Sequence, residues 1–293
     1  MFTISEIEIE NKNDIFPKMY LFLARNIAIT CGRGGEGAVR EAIRCYGAAC
    51  GLALKKKHQE KNQKLNIKSY YCSSDLSIDT RKRENILRLN EEVCLKEIYT
   101  CPYADIWKRY EASSIGNWFC EEYEKAKFEA YTDGSGQAHL SSRLTCNTEN
   151  NCRFSMYYRR ANLSPKEAEK CFTNEIYKEA EITDYNDMFY ISEAEKCLEL
   201  YYAIFESAHK RFDHEGICAV ANGLRALTED LITTLRTQAA HTLHCYNSEF
   251  VKNNFSLPLL ITDPIYIIVS QNTKAISILQ NNLLDPIQKS LEY

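Results

Sequence analysis

The chain has 293 residues, with 36 Lys and Arg against 40 Asp and Glu, a net charge of −4 and a pI near 6.0. At roughly 150 residues per domain, this length suggests about two domains. With 45% hydrophobic residues, 26% charged residues and only 6 Pro and 11 Gly, the composition excludes collagen-like, low-complexity and wholly disordered classes. The acidic balance also argues against a dedicated nucleic-acid-binding domain.

Thirteen cysteines lie between Cys31 and Cys245, an odd number without the dense spacing of a disulfide scaffold. The start, MFTISEIEIENKND, lacks the basic and apolar regions of a signal peptide. Arg25 and Asn26 interrupt the apolar run at 19–30, and Asp263-Pro264 interrupts that at 257–269, so no membrane span is expected. These features predict a cytoplasmic chain with reduced thiols, several of them acting as small buried hydrophobes.

Helical spacing of Met19, Leu21, Phe22, Leu23 and Ile27 predicts a helix over 17–32, ending at the turn Cys31-Gly32-Arg33-Gly34-Gly35. A second helix over about 36–62 turns Ala38, Val39, Ala42, Ile43 and Tyr46 inward. It ends in KKKHQEKNQK, which reads as a solvated tail or, alternatively, an anion contact. The glycines of 32–37 could present backbone N–H groups to an anion, but their place between two helices suits a plain turn. Residues 66–90 read as linker with some helix, and Glu92–Tyr99 as a strand. Short helices follow over 102–112 and 115–131. The turn Asp133-Gly134-Ser135-Gly136 then leads to a hairpin of His139–Cys146 with Cys152–Tyr158. From 164 the pattern is helical, over 166–180, 190–211 and 217–246, with Ser164-Pro165 as an N-cap. The segment 257–269 reads as extended and buried.

Tyr20-Leu21-Phe22 with Glu36-Gly37-Ala38-Val39 is echoed by Tyr202-Ala203-Ile204 with Glu215-Gly216-Ile217, with the spacing slipping by about two residues. Convergent amphipathic patterning and a duplicated helical hairpin both account for it. The expected class is α+β. Residues 1–160 would form a helical hairpin, a small antiparallel sheet and two cysteine-bearing helices. Residues 161–293 would form a mainly helical domain, a partial repeat of the first helices on the duplication reading and a candidate oligomer surface.

Chemistry is expected within 94–158. Pro102 suits a first helical position, so Cys101 becomes the N-cap, where unpaired N–H groups and the helix dipole favour its thiolate. A lowered pKa is what a nucleophilic thiol needs. Asp105, one turn later, could serve as base or anchor. Cys120 sits between Trp118-Phe119 and Glu121-Glu122, placing carboxylates near a cleft. Arg143 and Arg153 are candidates for holding an anionic substrate. Cys146 and Cys152, joined by a hairpin, give an alternative zinc set with Cys101, Cys120 or His139. In the run His241-Thr242-Leu243-His244-Cys245 two potential ligands, His241 and His244, stand three residues apart without a nearby carboxylate, a weaker spacing. Walker, dinucleotide, nucleophile-elbow and HExxH motifs are absent from the sequence.

At Cys101-Pro102-Tyr103-Ala104-Asp105-Ile106-Trp107-Lys108, Cys120-Glu121-Glu122 and Asn151-Cys152-Arg153-Phe154, the chain resembles the L-2-amino-thiazoline-4-carboxylic acid hydrolase family. The run 36–47 is similar to that family's N-terminal helices, and the likeness spans roughly residues 18–158. It implies hydrolytic opening of a cyclic amidine C=N bond without an organic cofactor, with Cys101, Asp105, Cys120, Glu121, Glu122 and Cys152 as catalytic residues. The segment around Cys146 and Cys152 also resembles the four-vinyl reductase domain, which implies a non-catalytic module or sensor for small molecules or zinc.

Overall fold

The structure, a computed structural model, describes residues 4–72, 79, 81–146, 149–174, 177–178 and 191–292, with side chains from residue 12 onward. It is α+β: a mainly helical chain carrying one four-stranded antiparallel sheet. The residues divide into two compact units, Met1–Ala42 with Ile191–Tyr293, and Ile43–Tyr190. The division therefore falls at 42/43 and 190/191, where the sequence reading placed one boundary at 160. The first unit joins the two ends of the chain.

That first unit is built on two long broken helices, α1 (Ile4–Glu60, of which residues to 42 belong here) and α6 (Glu193–His241). α1 breaks at Gly32 (φ 57°, ψ −139°) and α6 at Asp213 (φ 46°, ψ −119°). After each break the helix folds back so tightly that a glycine is needed three residues on. A Cβ on Gly35 would stand 2.6 Å from the Ile27 carbonyl oxygen, and one on Gly216 would stand 2.2 Å from that of Ala208. The two breaks thus share one geometry with Gly35 matched to Gly216, which aligns Ala38-Val39 with Ala219-Val220 and accounts for the slip in the sequence echo. Between the helices, Ser207 donates to the Ala38 carbonyl (2.8 Å), and buried Lys18 pairs with Asp230 (2.9 Å).

A Ser192–Glu195 capping box starts α6. α7 (Ser248–Asn254), α8 (Ile267–Ser270), α9 (Thr273–Leu279) and α10 (Asp285–Lys289) complete the unit. The stretch 257–269 is not extended. Asp263 caps a 3-10 turn opened by Pro264, and Leu257, Tyr266 and Val269 are buried while Leu260 and Ile267 are exposed.

The second unit holds the rest of α1, α2 (Ile67–Cys72), β1 (Arg83–Leu89), β2 (Val93–Thr100), α3 (Pro102–Arg109), α4 (Ser113–Tyr131), β3 (Gln137–Ser142), β4 (Cys152–Tyr157) and α5 (Pro165–Cys171). Sheet order is β1-β2-β4-β3. β1 lies in the segment read as linker: it is an edge strand with mostly exposed residues and two register shifts against β2. The β3–β4 hairpin forms, with Ala138 opposite Met156 and Leu140 opposite Phe154, but β3 stops at Ser142, and residues 143–146 of the expected strand pass through a turn and bend. α5 ends at Cys171, short of the helix expected over 166–180: residues 172–174, 177 and 178 are not helical, and 175–176 and 179–180 lie outside the described residues. No helix among the described residues is long and apolar enough to cross a membrane.

Candidate functional site

β2 alternates so that Cys94, Lys96 and Ile98 are buried on its inner face. Antiparallel pairing places Met156, Phe154 and Cys152 beside them on β4. β2 ends at Thr100, Cys101 makes the corner, and Pro102 starts α3. α3 and α4 then approach closely at Gly116, where a Cβ would lie 2.3 Å from the Trp107 ring. Trp107 packs tilted against Phe119 (5.7 Å between centroids) and Phe119 stacks on Tyr123 (5.1 Å), which fixes the register of α4.

This arrangement brings Cys101, Cys120 and Cys152 together at one end of the inner sheet face. Cys152 packs with Ile98, Ala104 and Leu144, and Cys101 borders the same cluster. The Leu144 N–H donates to the Cys152 sulfur (3.2 Å). Burial pushes the Cys120 thiol well above the usual cysteine value, and negative charge on Cys101 or Cys152 would push it further. Burial likewise raises Cys152 to about 11, despite the Leu144 N–H.

Cys101 overturns the electrostatic expectation. It sits at the predicted N-cap, and the N–H groups of Ala104 and Tyr103 do favour its thiolate, yet no side-chain cap hydrogen bond forms and burial is the larger effect. Its pKa is raised, not lowered. Removing a sulfur from water costs the anion more than one short helix end returns.

The remaining sequence candidates separate. Asp105 is exposed on α3. Glu121 is held by the Arg143 guanidinium, and Glu149 accepts from the Arg143 backbone N–H. Glu122 pairs with Arg44 at 3.0 Å. Arg153 lies on the outer sheet face, bonded to Glu97 at 2.7 Å. Both arginines proposed for substrate thus already hold carboxylates. Cys146 sits in a bend after β3, 4.0 Å from the Asn117 amide that donates to it. Among the described residues, no three His, Cys, Asp or Glu side chains are placed to hold a metal ion. His241, His244 and Cys245 are exposed at the end of α6. All thirteen cysteines are free thiols.

A groove that the sequence reading did not single out runs between α4 and the edge strand β3, with a volume of about 430 Å³. Glu121, Lys125 and Glu129 form its helical wall, spaced at one side of three successive turns. Gly134, Gly136 and residues 137–140 form the other wall. β3 pairs with β4 on one side only, so its other edge offers backbone donors and acceptors. His139 pairs in register with Ser155, opposite to the inner Ala138 and Leu140. The legible signal was the i, i+4, i+8 charge stripe beside the Asp133–Gly136 turn, where Gly134 takes φ 80°.

No family model matches the chain, and no curated protein or solved structure matches it.

Proposed function

We propose that the sheet-bearing unit binds a small zwitterionic molecule of the cyclic amidine class in the α4–β3 groove and opens it hydrolytically. The observation that carries this reading is the minus-plus-minus stripe of Glu121, Lys125 and Glu129 facing an unpaired strand edge. Such a stripe complements an amidinium and a carboxylate held a few ångströms apart. The likeness to the thiazoline-carboxylate hydrolases around Cys101, Cys120 and Cys152 supports the same substrate class.

In hydrolysis water adds across the C=N bond, its oxygen bonding to the amidine carbon and one proton ending on the ring nitrogen; the carbon–oxygen double bond then forms as the ring carbon–sulfur bond breaks, and sulfur leaves as a thiol with the second proton. A positioned carboxylate can take the proton from the attacking water, and Glu121 is the one fixed by an arginine at the groove. Cysteine-assisted attack would need a thiolate, which burial opposes at Cys101, Cys120 and Cys152. None of the three thiols lines the groove, so they serve this reading as packing beside it, not as nucleophile. Free thiols throughout accord with a reducing, cytoplasmic setting.

A turnover assay with 2-amino-thiazoline-4-carboxylate tests the reading. The wild-type chain is expected to release a thiol, E121Q to lose about a hundredfold or more in rate, and C101S to keep most of it. Absence of both turnover and saturable binding overturns it. The raised thiols favour a second reading, a non-catalytic binding module, which saturable binding without turnover would establish.

A further inference from the structure

The two edges of the sheet differ in how they are guarded. β1 carries Arg83, Glu84 and Arg88, all exposed, and breaks register with β2 twice. Charges and irregularities of this kind keep a foreign strand from adding to an edge. β3, Gln137-Ala138-His139-Leu140-Ser141-Ser142, holds no Pro, Lys, Arg, Asp or Glu, and residues 137–140 pair with β4 in unbroken register. In an antiparallel pair, alternate residues turn their N–H and C=O groups away from the partner strand. Among the described residues, no further strand and no loop backbone meets those groups on β3.

The unguarded edge is also one wall of the groove. Residues 136–140 line it consecutively, inward-facing and outward-facing alike, as happens when a groove runs along the backbone edge of a strand. Across it stands the α4 stripe. Glu121 already holds Arg143, so the charges open to a partner are Lys125 and Glu129, both exposed and neither in an ion pair among the described residues. Four residues of helix separate them by about 6 Å along the axis. That is close to the roughly 6.7 Å between residues i and i+2 of a strand. The chain reverses at Asp133–Gly136, so Glu129 lies toward the start of β3 and Glu121 toward its end.

We propose that the β3 edge takes up an extended peptide as an added strand, antiparallel to β3, with an acidic residue opposite Lys125 and, two residues later, a Lys or Arg opposite Glu129. Backbone hydrogen bonds to the edge supply affinity, and the two charge pairs supply direction and register. The intervening residue points to the outer face and is unrestricted. Ala138 and Leu140, half-buried on the inner face, offer apolar surface to the stems of the charged side chains. A second copy of this chain is the poorer occupant: a two-fold axis through the middle of the stripe sets Lys125 against Lys125 and Glu121 against Glu129. Peptide addition needs nothing of the hydrolytic reading: a bound strand would exclude the small molecule from the groove, and its binding is measured without turnover.

The test is fluorescence anisotropy of an end-blocked, fluorescein-labelled peptide, TTVETKVTT, titrated with the full chain. Saturable binding is expected, about tenfold weaker for the charge-swapped TTVKTEVTT, because two exposed attractions become two repulsions. K125E/E129K is expected to reverse that preference. N-methylation of every second peptide amide, in one of its two phases, is expected to abolish binding, since a strand presents only alternate N–H groups to its neighbour. No saturable binding, equal binding of the two sequences, a preference that K125E/E129K leaves unchanged, or binding by both N-methylated forms overturns the proposal. A chain that is itself dimeric, with the β3 amides protected from hydrogen exchange, overturns it in favour of self-pairing.

Discussion

The sulfur atoms of the sheet-bearing unit show how burial competes with local electrostatics. At Cys101 the sequence correctly locates a helix start, since Pro102 can sit only at the first turn. It gives no access to the depth of that corner, which is set by α4 closing over β2 and β4. Depth decides the titration. Cys94 on β2 is raised to about 11 by burial, with Lys96 opposing. For a thiol whose folded value exceeds its unfolded value near 8.5, stability is fully present below about pH 8.5 and is lost as pH climbs toward 11. A rise of that size at Cys94 corresponds to about 3 kcal/mol. Urea denaturation under reducing conditions should therefore show a midpoint that falls between pH 8.5 and 10.5, and C94A should flatten part of that fall. A midpoint independent of pH across this window would mean that these thiols are open to water.

Among the elements, strongly periodic ones were legible and weakly patterned ones were not. The paired helices on either side of Gly32 and Asp213, the strand β2 and the β3–β4 hairpin all announce themselves by apolar spacing and turn residues. β1 does not, because an edge strand with polar residues on both faces carries no alternation. The segment 257–269 misleads in the opposite direction: its apolar run suggests a strand, while Pro258 and Pro264 force turns and leave Leu260 and Ile267 outside. The groove escaped notice because it belongs to no single element.

The two helix breaks yield an element-scale prediction. A Cβ on Gly32 would touch nothing within 4 Å, so G32A isolates the cost of a φ of 57° with ψ −139° for a side-chain-bearing residue. That cost is about 1–3 kcal/mol. Asp213 already bears such strain at φ 46°, so D213G is expected to stabilise, by about 1 kcal/mol once the larger unfolded-state entropy of glycine is counted. Opposite signs in thermal denaturation are the expected outcome. Equal signs would mean that the breaks are held by contacts beyond the backbone.

At the scale of the whole chain, the first unit needs both Met1–Ala42 and Ile191–Tyr293, whereas Ile43–Tyr190 forms the other by itself. A sequence reading that cuts once, at 160, cannot anticipate a unit assembled from both termini. The arrangement makes truncation asymmetric. A chain ending at 160 keeps residues 12–42 but loses α6, leaving Met19, Leu23, Ile27, Ala38 and Val39, all buried in the intact protein, without the surface that covers them. Burying a side chain such as Leu or Ile contributes about 1.5–3 kcal/mol, so several exposed at once exceed the stability of an ordinary domain. The 1–160 chain is expected to aggregate or to lose the helix signal of residues 12–42, as read by light scattering and circular dichroism. Residues 43–190, by contrast, retain all four strands and both apolar clusters around Met156 and Cys152. Expressed alone, this segment should stay monomeric and unfold cooperatively. If it collapses while the 1–160 chain folds, the division of the chain into these two units is wrong.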